Sequence, residues 1–552
     1  MTLSRRSLLI AASLAAAPVP AVAQGSPQGR FTHGVASGDP LETAVILWTR
    51  FAPADGGDAE LRFEVSERED FSRIARRGRA VARAANDYCA KVDVRGLRPG
   101  RSYYYRFLSG AGPSPTGMTK TAPRGAAARL SFAFFSCSNK PFGYFHAYGH
   151  AAARADIDIA LHLGDYIYEY ARGVYPAADV ALADRVIEPA GEIVTYADYC
   201  ARYASYHDDI DLQELRRLKP MSVIWDDHEL ANNAYRTGAQ NHQEGAEGAW
   251  TDRVAAAAKA FFDWMPIRRP DPGSARIYRS LDWGDLARII LLDTRLIGRP
   301  QEFSYDALAA AAAEGPEAAL AAAQAFRAQL TNPALSRLGA AQEAWFEAEV
   351  AGSKARGHAW QVIAQQVVMG EQIAPAGLSR LLGEDASPGT RRYVTGGEQI
   401  GALGLPWNLD SWGGYPAARA RLLEACVAHG TNAIVLSGDS HNCWVNNLAA
   451  AGGGRNAAIE FAGGSVSSFG FESALTNAQP GEREAIMRGG NPGMAWCDVT
   501  RRGYGAVTLT REACAAEWVA FENVRDAAAS SVTVTTLTSA ASANGPSDWA
   551  VG

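Results

Sequence analysis

Five short apolar runs, each ending in ionisable or amide side chains, limit what this chain can fold into. Residues 130–135 run into Ser136-Cys137-Ser138-Asn139, and residues 157–161 lead to Gly164-Asp165-Tyr166-Ile167-Tyr168. Residues 222–225 end in Asp226-Asp227-His228-Glu229, and residues 287–292 in Asp293-Thr294-Arg295. Residues 433–436 end in Ser437-Gly438-Asp439-Ser440-His441. A sixth apolar run covers 360–369. Helical patterns fill the gaps at 148–154, 253–264, 341–350 and 416–429. Buried strands alternating with helices predict an α/β core, and in open α/β sheets ligand sites form beyond the strand ends.

Each cluster has an ordinary explanation when taken alone. A strand-end Asp commonly caps the next helix, and a lone Cys is more often buried than ligating. Four clusters on one domain are a different matter, because parallel strands bring their ends to one rim. The candidate metal ligands there are Cys137, Asp165, Tyr168, Asp227, Asp439 and His441. Phenolate, thiolate and imidazole donors suit a transition metal, with Fe(III) favoured over Mg. The remaining carboxylates are hard oxygen donors that suit an ion such as Ca.

The first 30 residues and the ends of the chain read differently. Ser4-Arg5-Arg6-Ser7-Leu8-Leu9, an Ala-rich apolar run and Ala21-Val22-Ala23 predict a twin-arginine export signal over 1–23, with an ordinary Sec signal as the alternative. The protein is then periplasmic or secreted, with the twin-arginine machinery as a partner and no transmembrane anchor. Residues 30–125 carry short alternating strands and form a predicted β-sandwich, with a linker around Pro113, Pro115 and Pro123. The Leu97-Arg98-Pro99-Gly100-Arg101-Ser102-Tyr103-Tyr104-Tyr105 run resembles a late strand of fibronectin type III domains, with its tyrosines expected in core and edge. An Ala-rich helical insertion is expected at 305–330, a long Gly- and Pro-rich loop at 371–414, and a loosely held tail over 526–552 in which 531–537 could be a strand. The 47% hydrophobic and 20% charged composition is that of a soluble globular chain. Net charge is −6, with no basic excess, so no stable nucleic-acid complex is expected. Seven cysteines without a CxxC pair leave at least one thiol unpaired or bound to metal.

In this order, a strand-end ligand, Gly-Asp-x-x-Tyr, Asp-His-Glu and Gly-Asp-x-His resemble the calcineurin-like metallophosphoesterases. Purple acid phosphatases carry Asp where this chain has Cys137, Gly-Asn-His-Glu where it has Asp226-Asp227-His228-Glu229, and His where it has Asp439. Those departures resemble the PhoD family of alkaline phosphatases and phosphodiesterases, as do Phe135-Ser136-Cys137-Ser138, Trp225 through Asn233, and Leu292-Asp293-Thr294-Arg295. The resemblance covers roughly residues 30 to 510. It implies an α/β metallophosphoesterase sandwich over 126–525 behind the N-terminal all-β domain, an Fe(III) and Ca centre, and hydrolysis of phosphate esters or diesters, some of them phospholipids. Two ions would clamp the phosphate and activate a water or oxide nucleophile. His228 is then the candidate proton donor to the leaving oxygen. Asn233 holds a phosphate oxygen or serves as a ligand. Arg295 neutralises phosphate charge or pairs with Asp293, and Asn139 supports the ligands from outside. His146, His150, His162 and His207 are expected to be structural.

Two other functions compete. Gly438-Asp439-Ser440 resembles the opening of GDSL serine esterases, which need a histidine after the serine. Here His441 is the last histidine of the chain, and the motif lies late rather than near the N-terminus. A non-catalytic binding protein built on the N-terminal sandwich would have no use for four clusters of strand-end ligands.

Overall fold

The computed structural model describes residues 28–552; the expected export signal, 1–23, lies outside them. Two mixed sheets form the centre. In the larger, Leu130–Phe135, Ile159–His162 and Met221–Val223 are adjacent and parallel. In the smaller, Ala287–Leu291, Trp360–Ala364, Ala433–Ser437 and Asn456–Gly463 are successive parallel neighbours. The first strand of each set is buried by its own sequence: Leu130, Phe132, Phe134 and Phe135 in one sheet, Ile289, Ile290 and Leu291 in the other. Strands covered on both faces need such continuous apolar runs.

The two sheets pack face to face. Phe134 and Phe461, one from each, meet edge to face at 5.1 Å. Helices at His146–Ala153, Trp250–Trp264, Gly339–Ala355 and Pro416–Ala428 lie where the periodicity predicts, and two more at Tyr196–His207 and Ile210–Leu218 escape it. The Ala-rich insertion is a pair of helices, Asp306–Glu314 and Pro316–Leu330, broken at Gly315–Pro316.

The N-terminal β region does not stand alone. Gly29–Gly38, Ala44–Pro53 and Cys89–Arg95 continue the ten-stranded sheet, joined to it where Gly38 pairs with Met221. Ala59–Ser66, Ile74–Ala82 and Ser102–Ser109 form a separate sheet that packs over them. Tyr103 and Tyr105 are buried in that packing, so they are core and not a ligand platform. The linker contains two short strands, Gly112–Pro113 and Gly117–Lys120.

At the other end, Ser531–Ala540 is a ten-residue strand on Ala513–Phe521. Its Thr and Val content, with Thr535, Leu537 and Ser539 buried between exposed neighbours, suits a strand covered on one face better than a loose tail. The 371–414 segment is likewise more ordered than a loop, since Ser387 caps a 15-residue helix, Pro388–Ala402. All seven cysteines are free and buried. No helix among the described residues is long and apolar enough to cross a membrane.

Candidate metal centre

The carboxyl ends of the parallel strands from both sheets converge on one place. Cys137 follows Leu130–Phe135, Asp165 follows Ile159–His162, Asp226 and Asp227 follow Met221–Val223, and Asp439 and His441 follow Ala433–Ser437. Donor atoms of Cys137, Asp165 and His441 lie within 4.8 Å of one another, as do those of Asp165, Asp227 and His228, and those of Asp226, Asp227 and Asp439. The Tyr168 hydroxyl is 3.1 Å from Asp165 Oδ2 and 3.3 Å from His441 Nε2. All six predicted ligands therefore belong to one constellation.

Two glycines make that convergence possible. A Cβ on Gly164, at φ +107°, would lie 2.3 Å from the Asp226 nitrogen, and one on Gly438 would lie 2.6 Å from Ser136 Cβ. The Gly in each Gly-Asp motif thus lets one strand-end loop press against another. The backbone is also held in the left-handed region at Cys137, Asp165, Asn233, Asp439 and His441, with φ between 53° and 62°. Non-glycine residues in that region cost about 1–3 kcal/mol each and cluster at functional sites.

The donor atoms fit metal ions. Asp165 Oδ1, Asp226 Oδ2, Asp227 Oδ1 and Asn139 Oδ1 are buried and find no hydrogen-bond partner among the described residues. Buried lone pairs are rarely left so. Burial and the neighbouring Asp165 push the Cys137 thiol well above its usual range, and burial does the same to the Tyr168 phenol and to the carboxyls of Asp165 and Asp439. A cation among them reverses the preference and favours the anionic forms. His441 is already prepared: burial lowers its pKa to about 3, and Nδ1 is bonded to the Phe469 carbonyl at 2.8 Å. That bond fixes the tautomer and leaves the Nε2 lone pair facing Tyr168 and the cluster. Cys137, Tyr168, Asp165 and His441 make a sulphur, oxygen and nitrogen set. Asp226, Asp227 and Asp439 make an oxygen-only set.

The remaining predicted residues take distinct places. His228 Nδ1 is 2.6 Å from Glu169 Oε2, and both side chains are buried. Burial opposes charge on the imidazole, but the fields of Glu169, Asp227 and Asp165 outweigh it and raise the His228 pKa well above normal. Asn233 donates its backbone N–H to Asp227 Oδ2 at 2.6 Å and its amide to Gln240. Asn139 donates to the Tyr175 carbonyl.

The Arg295 side chain is turned to acids other than Asp293. Its fully buried guanidinium contacts Asp226, reaches both oxygens of Asp410 at 2.7 and 2.8 Å, and lies 3.1 Å from Asp439 and 3.3 Å from Asp227. It neutralises the protein's own acids. Asp293 instead accepts the backbone N–H of Arg295 and Leu296.

The four histidines expected to be structural bond to Tyr148, Tyr166, Tyr504 and the Asp526 carbonyl. Ser440 Oγ bonds to the Trp444 indole and the Asn442 carbonyl, with no histidine partner, so it is not set up as an esterase nucleophile.

The roles of several members of the site are not evident from the strand ends. Glu229 accepts the N–H groups of Asp165, Tyr166 and Asp226 and ties two ligand loops together. Glu169 could have been suspected from its place beside Tyr168. Asp410 gives no such signal. It lies in the Gly- and Pro-rich segment and is held well below the carboxylate range because Arg295, Arg299 and Arg337 overcome its burial.

Two facing mixed sheets with clustered donors at their strand ends define a metallophosphoesterase-type fold. The solved structure of PhoD superposes with TM-score 0.75 at 29% identity, covering 95% of this chain and 92% of that one. Purple acid phosphatase PPD1 from yellow lupin seeds superposes with TM-score 0.54 at 13% identity, covering 93% and 74%, a likeness of fold alone. The PhoD-like phosphatase model matches residues 132–518, and the model of its N-terminal domain matches 15–123. The chain belongs to the PhoD-like phosphatase family. Alkaline phosphatase D of Bacillus subtilis (strain 168) is 34% identical over 432 residues, which is 76% of this chain and 65% of that protein. The chain thus spans just under two thirds of the length of that relative.

Proposed function

We propose that this protein is an exported alkaline phosphatase D-like enzyme that hydrolyses phosphoesters at a dinuclear metal centre. The observation that carries this is the meeting of three donor groups, contributed by four strand ends, in one buried constellation. Cys137, Tyr168, Asp165 and His441 would hold Fe(III), for which thiolate and phenolate are apt. Asp165, Asp227 and Asp439 would hold Ca, with Asn233, whose backbone N–H bonds to Asp227, as a further ligand or a contact to a phosphate oxygen. Bound there, the two ions would supply charge to bind the phosphate and polarise its bonds.

The chain's own residues supply the proton. Glu169 holds Nδ1 of His228, so Nε2 is the atom left to face the substrate. The protonated ring donates from Nε2 to the leaving alkoxide oxygen. His228→Gln should therefore lower kcat by about 10²–10³ on an alkyl phosphate. With p-nitrophenyl phosphate, whose leaving group needs little protonation, the loss should be under about tenfold. Equal losses on both esters would remove the proton-donor role.

Both monoesters and diesters, phospholipids included, are compatible with these donors. The N-terminal β domain is read as fibronectin III-like, and the Arg5-Arg6 signal as the route through the twin-arginine machinery to the periplasm or beyond. The test is turnover of p-nitrophenyl phosphate and bis-p-nitrophenyl phosphate, with metal analysis of wild type and Cys137→Ala. Iron should fall with the thiol removed, and both activities should drop at least about a hundredfold. Normal iron and normal turnover would remove Cys137 from the ligand set, and no turnover of either ester by the metal-loaded wild type would end the proposal.

A further inference from the structure

A cavity of about 260 Å³ opens beside His441. The loop that carries Asp439 and His441 forms one side of it, through Ser440, His441 and Asn442. No Lys, Arg, Asp or Glu lines it. A run of aromatic rings forms much of the remaining lining. Trp407 lies parallel to Phe471, 1° apart in plane and 4.9 Å between centroids, and Tyr393 stacks on Trp407 at 5.2 Å. Trp444 meets Phe471 edge-on at 6.3 Å.

This wall is fixed in place. A Cβ on Gly397 would lie 2.5 Å from Trp407 Nε1, so the helix Pro388–Ala402 backs the indole edge directly. The Trp444 indole donates to Ser440 Oγ, tying the wall to the ligand loop. The polar lining is largely committed to the protein. Asn442 bonds to Phe471 N–H and the Ser440 carbonyl, and Asn491 bonds to Ile373 and Met487. What lines the cavity besides these is uncharged: the rings of Tyr393, Trp407, Trp444 and Phe471, the amides of Gln372 and Asn408, and the side chains of Met487 and Met494, which adapt to a ring and favour contact with it.

We infer that this cavity takes the organic group of the ester, and that the group it takes is flat and uncharged, an aryl or heteroaryl substituent. The inference rests on the phosphoester reading above. His441 belongs both to the Cys137–Asp165 donor group and to the cavity wall, so a phosphate held at the donors has its substituent at the cavity mouth. Stacked rings reward a flat face beyond the area it buries. A charged substituent would lose its water with no opposite charge to compensate.

Benzyl, cyclohexylmethyl and methyl phosphates release alkoxides of similar basicity, so their kcat/KM ratios read the cavity rather than the bond being broken. The wild type should prefer benzyl over methyl by about tenfold or more, and benzyl over cyclohexylmethyl by about threefold or more. Trp407→Ala should bring the benzyl-to-methyl ratio down about tenfold. Should that variant not fold, Phe471→Leu, which keeps bulk and removes the face, should lower the same ratio. Calorimetric binding of benzylphosphonate and methylphosphonate to the metal-loaded protein gives the preference without turnover. Failure to hydrolyse any of the three esters overturns the hydrolase reading and leaves the phosphonates to decide the cavity. Equal phosphonate binding, or a wild-type ratio near one, overturns the inference.

Discussion

Asp165→Asn is expected to lower phosphoester turnover at least about a thousandfold, or roughly 4 kcal/mol of barrier, and to empty both halves of the centre. Asp165 is the acid that joins the sulphur-bearing donor group to the acidic one. One of its oxygens accepts from Tyr168 and the other is buried without a partner. Asn has the same shape, so the loops held by Glu229 should keep their places. It would put an N–H₂ where the proposed centre needs a lone pair, and it would remove a negative charge that would help hold the two ions. Circular dichroism should be unchanged while metal analysis shows both iron and the second ion reduced. Native metal content with native turnover would contradict the placement of Asp165 between the two sets.

Arg295→Ala is expected to destabilise the metal-free protein by about 3–5 kcal/mol, the usual cost of removing one partner from a buried ion pair. The position is extreme because one guanidinium serves Asp226, Asp227, Asp410 and Asp439 together. Burial already raises Asp226 to about 6 despite that guanidinium. Without it, four clustered acids face one another, and Asp410 is left to Arg299 and Arg337. Urea unfolding of the metal-free variant checks this. A loss below about 1 kcal/mol would mean that the acids are not carried by Arg295.

The candidate ligands were legible because each stands where an apolar run stops, and a strand's end is a local property of sequence. Their convergence was legible because parallel strands have only one carboxyl edge. The supporting acids were not, for a physical reason. Asp410 acts through three arginines that lie 73 to 115 positions away, and nothing near Asn408-Leu409-Asp410 records that contact. The acids around the Arg295 guanidinium were hidden similarly, since the neighbour in sequence, Asp293, uses its carboxylate on backbone N–H groups while more distant acids take the guanidinium. Gly38 pairing with Met221 joins the N-terminal strands to the central sheet through one register contact, which strand patterns cannot reveal. The Trp407 and Phe471 stack brings together segments 64 positions apart, so the aromatic cavity was equally hidden.

Anomalous diffraction at the iron edge, on crystals of the protein purified with its metals, tests the central claim most directly. The expected result is a single strong peak bounded by Cys137 Sγ, the Tyr168 oxygen, an Asp165 oxygen and His441 Nε2, with a lighter ion among Asp165, Asp227 and Asp439. No iron peak there, or iron bound elsewhere in an active enzyme, would contradict it.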